Sequence, residues 1–119
     1  QILPELLRRR IPPLGMKSLG DGRMVREKIV TPQDALRYAM SLPVVTTISG
    51  IDSMRVLKQN VAIASKFKQM SPREMEALRT RTQEKAQDGR FELYKTTAKH
   101  DGVVGREQHG FPSEEELSA

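Results

Sequence analysis

The residues best placed to do chemistry lie in the run Ser49-Gly50-Ile51-Asp52-Ser53. Ahead of them, Val44 to Ile48 is almost wholly β-branched, which suits a strand buried on both faces. Behind them, Met54 to Phe67 carries a helical pattern, and Ser53 is a good N-cap for it. Gly50 can take a backbone conformation that other residues resist. Free N–H groups at such a helix start bind anions, so a strand–glycine–helix junction is a common seat for a cofactor phosphate. The other reading is an ordinary βα loop, and a lone glycine turn does not separate the two.

The remaining chemistry-bearing residues are isolated. Asn60 interrupts an apolar stripe of Val56, Leu57, Val61, Ala64 and Phe67, as a polar residue at a buried edge or as a ligand contact. His100 and His109 lie in the tail with no partner at helical or metal spacing. Tyr38 falls mid-helix and Tyr94 in the tail, so no catalytic residue and no metal site is assigned. The chain has no cysteine, which excludes disulfides, thiolate metal sites and a cysteine nucleophile, and is compatible with the cytoplasm. No apolar run approaches the roughly 20 residues that span a membrane. Gln1 stands where Met opens a gene and no signal-peptide pattern follows, so the start reads as a cut.

Lys and Arg total 20 against 15 Asp and Glu, for a net charge of +5, which raises the question of nucleic acid. The cations are scattered among acids, only Arg8-Arg9-Arg10 forms a run, and aromatics are 4% of the chain. Few rings are therefore available to stack on bases, and the arginines suit a helix C-terminus better.

The elements that must position the loop follow from periodicity and punctuation. Gln1 to Arg10 reads as the end of a helix, stopped by Ile11-Pro12-Pro13. A short strand is expected at Leu14 to Met16, beginning only after Pro13, because prolines cannot donate ladder bonds. Lys17 to Arg23 then reads as a flexible polar loop. Thr31-Pro32-Gln33-Asp34 starts a helix that runs to about Ser41, with Ala35, Leu36, Ala39 and Met40 inward and Pro43 ending it. Ser71-Pro72-Arg73-Glu74 is a capping box for a helix to about Gln87, with Met75, Leu78 and Thr82 inward. Asp88-Gly89 closes it, Phe91 to Thr97 reads as an extended segment, and an irregular tail follows. Alternating β and α argues for a parallel sheet, yet two parallel strands are too few to stand alone. The chain thus reads as the end of an α/β protein, of marginal stability and prone to self-association. Residues 1–87 are expected to form the α/β portion and 88–119 an irregular C-terminal extension.

Gly15-Met16-Lys17-Ser18-Leu19-Gly20, Thr31-Pro32 to Pro43, and Val45 to Asn60 together resemble the last two βα units of the aldo-keto reductases. Asp88-Gly89-Arg90-Phe91-Glu92-Leu93-Tyr94-Lys95-Thr96-Thr97 resembles the C-terminal extension of one bacterial branch of that family. The resemblance implies the C-terminal part of a (β/α)8 TIM barrel, with Leu14 to Met16 and Val44 to Ile48 as its last two strands and the site at their C-terminal ends. It implies an oxidoreductase that reduces small carbonyl compounds with NADPH, NAD being the alternative cofactor. By position, Met16 would lie near the nicotinamide, where many relatives use an aromatic ring. Lys17 and Leu19 would flank the pyrophosphate, and Gly20 would permit close approach. Gly50, Ile51, Asp52 and Ser53 would hold the adenosine-ribose phosphate, and Gln59 and Asn60 would face the adenine.

Two departures qualify that implication. Val56 stands where many relatives carry a basic residue for the 2′-phosphate and Asp52 lies near where they often carry another, so a weakened preference for NADP, with NAD as an alternative, is expected. The catalytic tetrad of Asp, Tyr, Lys and His belongs to earlier strands absent from this chain, which is therefore expected to be inactive alone. The alternative function is a non-catalytic interaction module that docks on a partner barrel or subunit through its open sheet edge.

Overall fold

A computed structural model describes residues 2–86 and residue 91. The chain divides into two units, Gln1–Lys85 and Ala86–Ala119. The first is a small mixed α/β unit, mostly helical, with a two-stranded parallel sheet. Asp88-Gly89 and the extended segment expected after Phe91 lie outside the described residues.

Helix α1 spans Ile2–Arg8. It ends with Arg10 in the left-handed region at φ 56°. Arg10 N–H bonds Leu7 O at 3.0 Å and Ile11 N–H bonds Leu6 O at 2.9 Å. That pair of bonds is a Schellman cap with arginine at the position glycine usually takes. Strand β1, Leu14–Gly15, starts after the prolines as expected. Pro13 still joins the ladder as an acceptor, taking the Val45 N–H at 2.9 Å. The segment expected to be a flexible loop is more ordered than that. It forms a 3₁₀ turn, Gly20–Gly22, and a short helix α2, Arg23–Arg26. Met24, Val25 and Ile29 explain it: all three pack against the core and hold the turn down.

Helix α3, Pro32–Ser41, opens with the Thr31 hydroxyl accepting the Asp34 N–H at 3.0 Å. Strand β2, Thr46–Thr47, pairs parallel to β1 with Leu14 opposite Thr46 and Gly15 opposite Thr47. Helix α4 spans Met54–Ser65 and helix α5 spans Pro72–Ala86. The expected capping box is present: Ser71 N–H bonds Glu74 Oε2 at 2.7 Å and Glu74 N–H bonds Ser71 Oγ at 3.3 Å.

The core sits between α3, α5 and the α2 turn, around Val30, Ala35, Met70 and Leu78. Leu36 is also buried. Helices α3 and α5 are tied at three places: Asp34 to Arg81 at 2.8 Å, Tyr38 to Arg79 at 3.2 Å, and Arg37 to Glu74 at 3.4 Å.

The strand expectation is corrected. Val44 to Ile48 is not buried on both faces: Val45 is 62% exposed, and Leu14 on the facing strand is 61% exposed. A two-stranded sheet has no flanking strands, and the helices leave these side chains uncovered. The apolar stripe of α4 is likewise only partly covered. Val56 and Leu57 are half-buried, Val61 and Ala64 are exposed, and Asn60 is the one buried residue of the helix.

Candidate functional site

The parallel register makes both candidate loops leave the same end of the sheet. Met16-Lys17 follows Gly15, and Ile48-Ser49 follows Thr47, directly across the ladder. Ile48 N–H closes this end with a 2.7 Å bond to Gly15 O. Open α/β sheets bind ligands beyond the carboxyl ends of adjacent strands, where loops of this kind converge.

In the first loop, Met16 is 64% exposed and Lys17 is exposed. Lys17 adopts φ 56°, an uncommon conformation for a lysine and one that marks backbone held by its surroundings. Lys17 O accepts the Gly20 N–H and Leu19 O accepts the Gly22 N–H, both at 2.9 Å, so the loop is a wound turn. Gly20, at φ 53°, supplies the left-handed residue this winding needs. The Leu19 side chain packs on the core, which leaves its backbone to shape the turn. Ser18 Oγ is buried and has no hydrogen-bond partner among the described residues.

In the second loop, Ser53 accepts the Val56 N–H at 3.3 Å and starts α4. Gly50 does not use the left-handed region, and a Cβ built there meets nothing within 4 Å. Its value is open space above the backbone, not a special dihedral angle. Ile51 and Asp52 are exposed, and Asp52 makes no ion pair among the described residues.

Asn60 is turned toward Ser49, at the root of the loop. It is 9% exposed and donates Nδ2–H to Ser49 Oγ at 3.0 Å, while Oδ1 is buried without a partner among the described residues. Gln59, one residue earlier, points elsewhere, into a groove shared with α3. The register thus starts the two loops, at Met16 and at Ile48, from one end of the sheet, while Gln59 and Asn60 meet different partners.

This arrangement can hold an anion: an exposed lysine, the start of a twelve-residue helix, and open space over a glycine lie on adjoining loops. Donors of these kinds suit phosphate oxygens. The carboxylate of Asp52 opposes a further phosphate and suits a hydroxyl. No group of three or more His, Asp or Glu side chains is placed to hold a metal among the described residues. Tyr38 accepts a hydrogen bond from Arg79 and belongs to the packing of α3 on α5. His100, His109 and Tyr94 lie outside the described residues.

Three residues with specific partners were invisible to pattern reading. Ser49 is the partner of Asn60, eleven residues away. Ser41 joins α3 to the segment before α5. Arg37 donates Nε–H to Lys68 O at 3.2 Å. Each acts across a long sequence separation; only the polar Asn60 on an apolar stripe gave a local signal. In comparisons with known proteins, no protein-family model, no curated protein and no solved structure matches the chain.

Proposed function

We propose that the chain is the C-terminal, cofactor-binding part of an NAD(P)H-dependent aldo-keto reductase, the end of a (β/α)8 barrel that is inactive without its earlier strands. The observation that carries this reading is the register: loops 16–20 and 49–53 leave the same carboxyl end of two adjacent parallel strands. Lys17 offsets the charge of a diphosphate, and the α4 start donates N–H groups toward the same end. Bound there, a nicotinamide cofactor supplies the hydride for carbonyl reduction. Asp52 turns the ribose preference toward NAD, because a carboxylate repels a 2′-phosphate and accepts a bond from a 2′-hydroxyl. No helix among the described residues is long and apolar enough to cross a membrane. A cytoplasmic location belongs to this reading.

A thermal melt with NADPH and, separately, NADH tests it. A ligand that binds only the folded form adds about 2.7 kcal/mol at 100 times its dissociation constant. An upward shift that Lys17→Ala reduces supports the reading, and a melt unmoved by either nucleotide overturns it.

A second reading is favoured by one observation, the exposed apolar side chains of both strands. On that reading the chain is a non-catalytic module that docks on a partner barrel or subunit, or on itself, through its open sheet. Binding to a partner that buries Leu14 and Val45 without any effect of nucleotide distinguishes it.

A further inference from the structure

A groove of about 470 Å³ lies between α3 and α4, apart from the loops at the sheet end. Its size falls in the range of small-molecule sites. Its charged lining side chains are Arg37 and Lys66, and no Asp or Glu lines it. The carboxamides of Gln33 and Gln59 add donors and acceptors. Pro32, Ala62 and Ile63 give it an apolar floor.

The cations differ in how they are held. The Arg37 side chain is 22% exposed and is held by Lys68 O at 3.2 Å and Glu74 Oε1 at 3.4 Å. Those two bonds leave further N–H donors on the same planar fork. Glu74 shares its carboxylate: Oε2 takes both the N–H and the hydroxyl of Ser71, and Oε1 meets Arg37. The nearby Asp34 pairs with Arg81. Lys66, at the end of α4, has no ion-pair partner among the described residues. Both cations thus belong to the lining of one groove, Arg37 shared with Glu74 and Lys66 without an ion pair among the described residues. A guanidinium already held by two acceptors is pre-organised to meet an oxyanion with its remaining N–H groups.

The geometry points to a second ligand site here, for a small organic anion whose carboxylate or phosphate meets Arg37 and Lys66 and whose apolar body rests on Pro32, Ala62 and Ile63. This site is independent of the nucleotide reading, which uses Lys17 and the 50–53 loop.

The test is an amide NMR titration of the full chain with benzoate, phenyl phosphate and, as the neutral analogue, benzamide. The expected result is a saturable shift of the Arg37 Nε–H and of the Gln33 and Gln59 side-chain amides with benzoate or phenyl phosphate. Whichever of the two binds tighter identifies the headgroup. Lys66→Gln, at an exposed position, weakens that binding by about tenfold, the scale of one charge-assisted bond. Lys17→Ala leaves it unchanged, which separates this site from the nucleotide loops. Equal binding of benzamide, no saturable shift, an unchanged affinity in Lys66→Gln, or a spectrum without amide dispersion overturns the proposal.

Discussion

The Ser41 hydroxyl accepts the buried Met70 N–H at 2.8 Å and donates to Arg37 O at 2.7 Å. One side chain thereby fastens the last turn of α3 to the segment that leads into α5. Ser41 is buried, so no water replaces it. Ser41→Ala leaves the Met70 N–H unpaired and costs about 1–3 kcal/mol. Denaturant unfolding of the two proteins checks this, and a loss below a few tenths of a kcal/mol contradicts it.

The Asn60–Ser49 bond ties the middle of α4 to the end of β2, at the root of the 50–53 loop. Ser49→Ala strands the Asn60 amide and costs about 1–3 kcal/mol, whereas Ser49→Ala with Asn60→Leu removes both polar groups and recovers most of that loss. A double-mutant cycle measures the coupling. If Asn60 contacts adenine directly, Asn60→Leu weakens nucleotide binding far more than Ser49→Ala does. The 3.0 Å bond predicts instead that both weaken it to a similar degree, by loosening the loop.

Arg10 and Lys28 both sit at φ 56° in the C-terminal caps of α1 and α2. Lys28 N–H bonds Val25 O at 3.0 Å and Ile29 N–H bonds Met24 O at 2.9 Å, the same pattern as at Arg10. Left-handed backbone costs a residue with a Cβ about 1–2 kcal/mol, part of which glycine gives back in chain entropy. Arg10→Gly and Lys28→Gly each raise stability by roughly 0.5–1 kcal/mol, and the two add. A lowered unfolding midpoint in either variant contradicts the assignment.

Acid removes a defined part of the stability. Glu74 has its carboxyl held below the usual value, first by the Ser71 N–H and then by the Ser71 hydroxyl. Glu5 is lowered in the same direction by Arg8 and Arg9. A carboxyl lowered in the folded state stabilises above its unfolded value, and that contribution is lost as pH falls through the lowered folded value. Glu74→Gln keeps a capping residue but removes the titration. The melting temperature of the parent therefore falls more between pH 7 and pH 3 than that of Glu74→Gln, and equal falls contradict the role of the carboxylate.

The uncovered strands carry a further consequence. Val45 and Leu14 expose apolar side chains on a two-stranded sheet with open edges. Val45→Lys places a charge on that face and reduces self-association, measured by sedimentation across a concentration series. A parent chain that sediments as a monomer at all concentrations contradicts this.

Much of the local structure was written in the sequence because it depends on neighbours within one turn. Thr31-Pro32, Ser53 and Ser71-Pro72-Arg73-Glu74 each begin a helix through a bond to a backbone group three residues on. Leu14 and Thr46 fall in strands that pair parallel, as alternating helix and strand required. The placing of the two loops at one end of the sheet comes from the same pattern. Burial was another matter, because it depends on what covers a residue. A β-branched run describes a side chain that can be buried, and only the absence of flanking strands leaves Val45 and Leu14 exposed. Gly50 has the freedom to turn left-handed, yet the surrounding chain does not require it there and requires it at Lys17. The fates of Gln59 and Asn60 diverge for the same kind of reason. Successive helical residues face different directions, so α3 meets one and Ser49 the other. Sequence alone determined where α3, α4 and α5 begin and that the strands run parallel, since caps and the alternation of helix and strand are written along the chain. Tertiary structure alone decided which polar groups meet, since Ser41 with Met70 and Asn60 with Ser49 are contacts that chain packing creates.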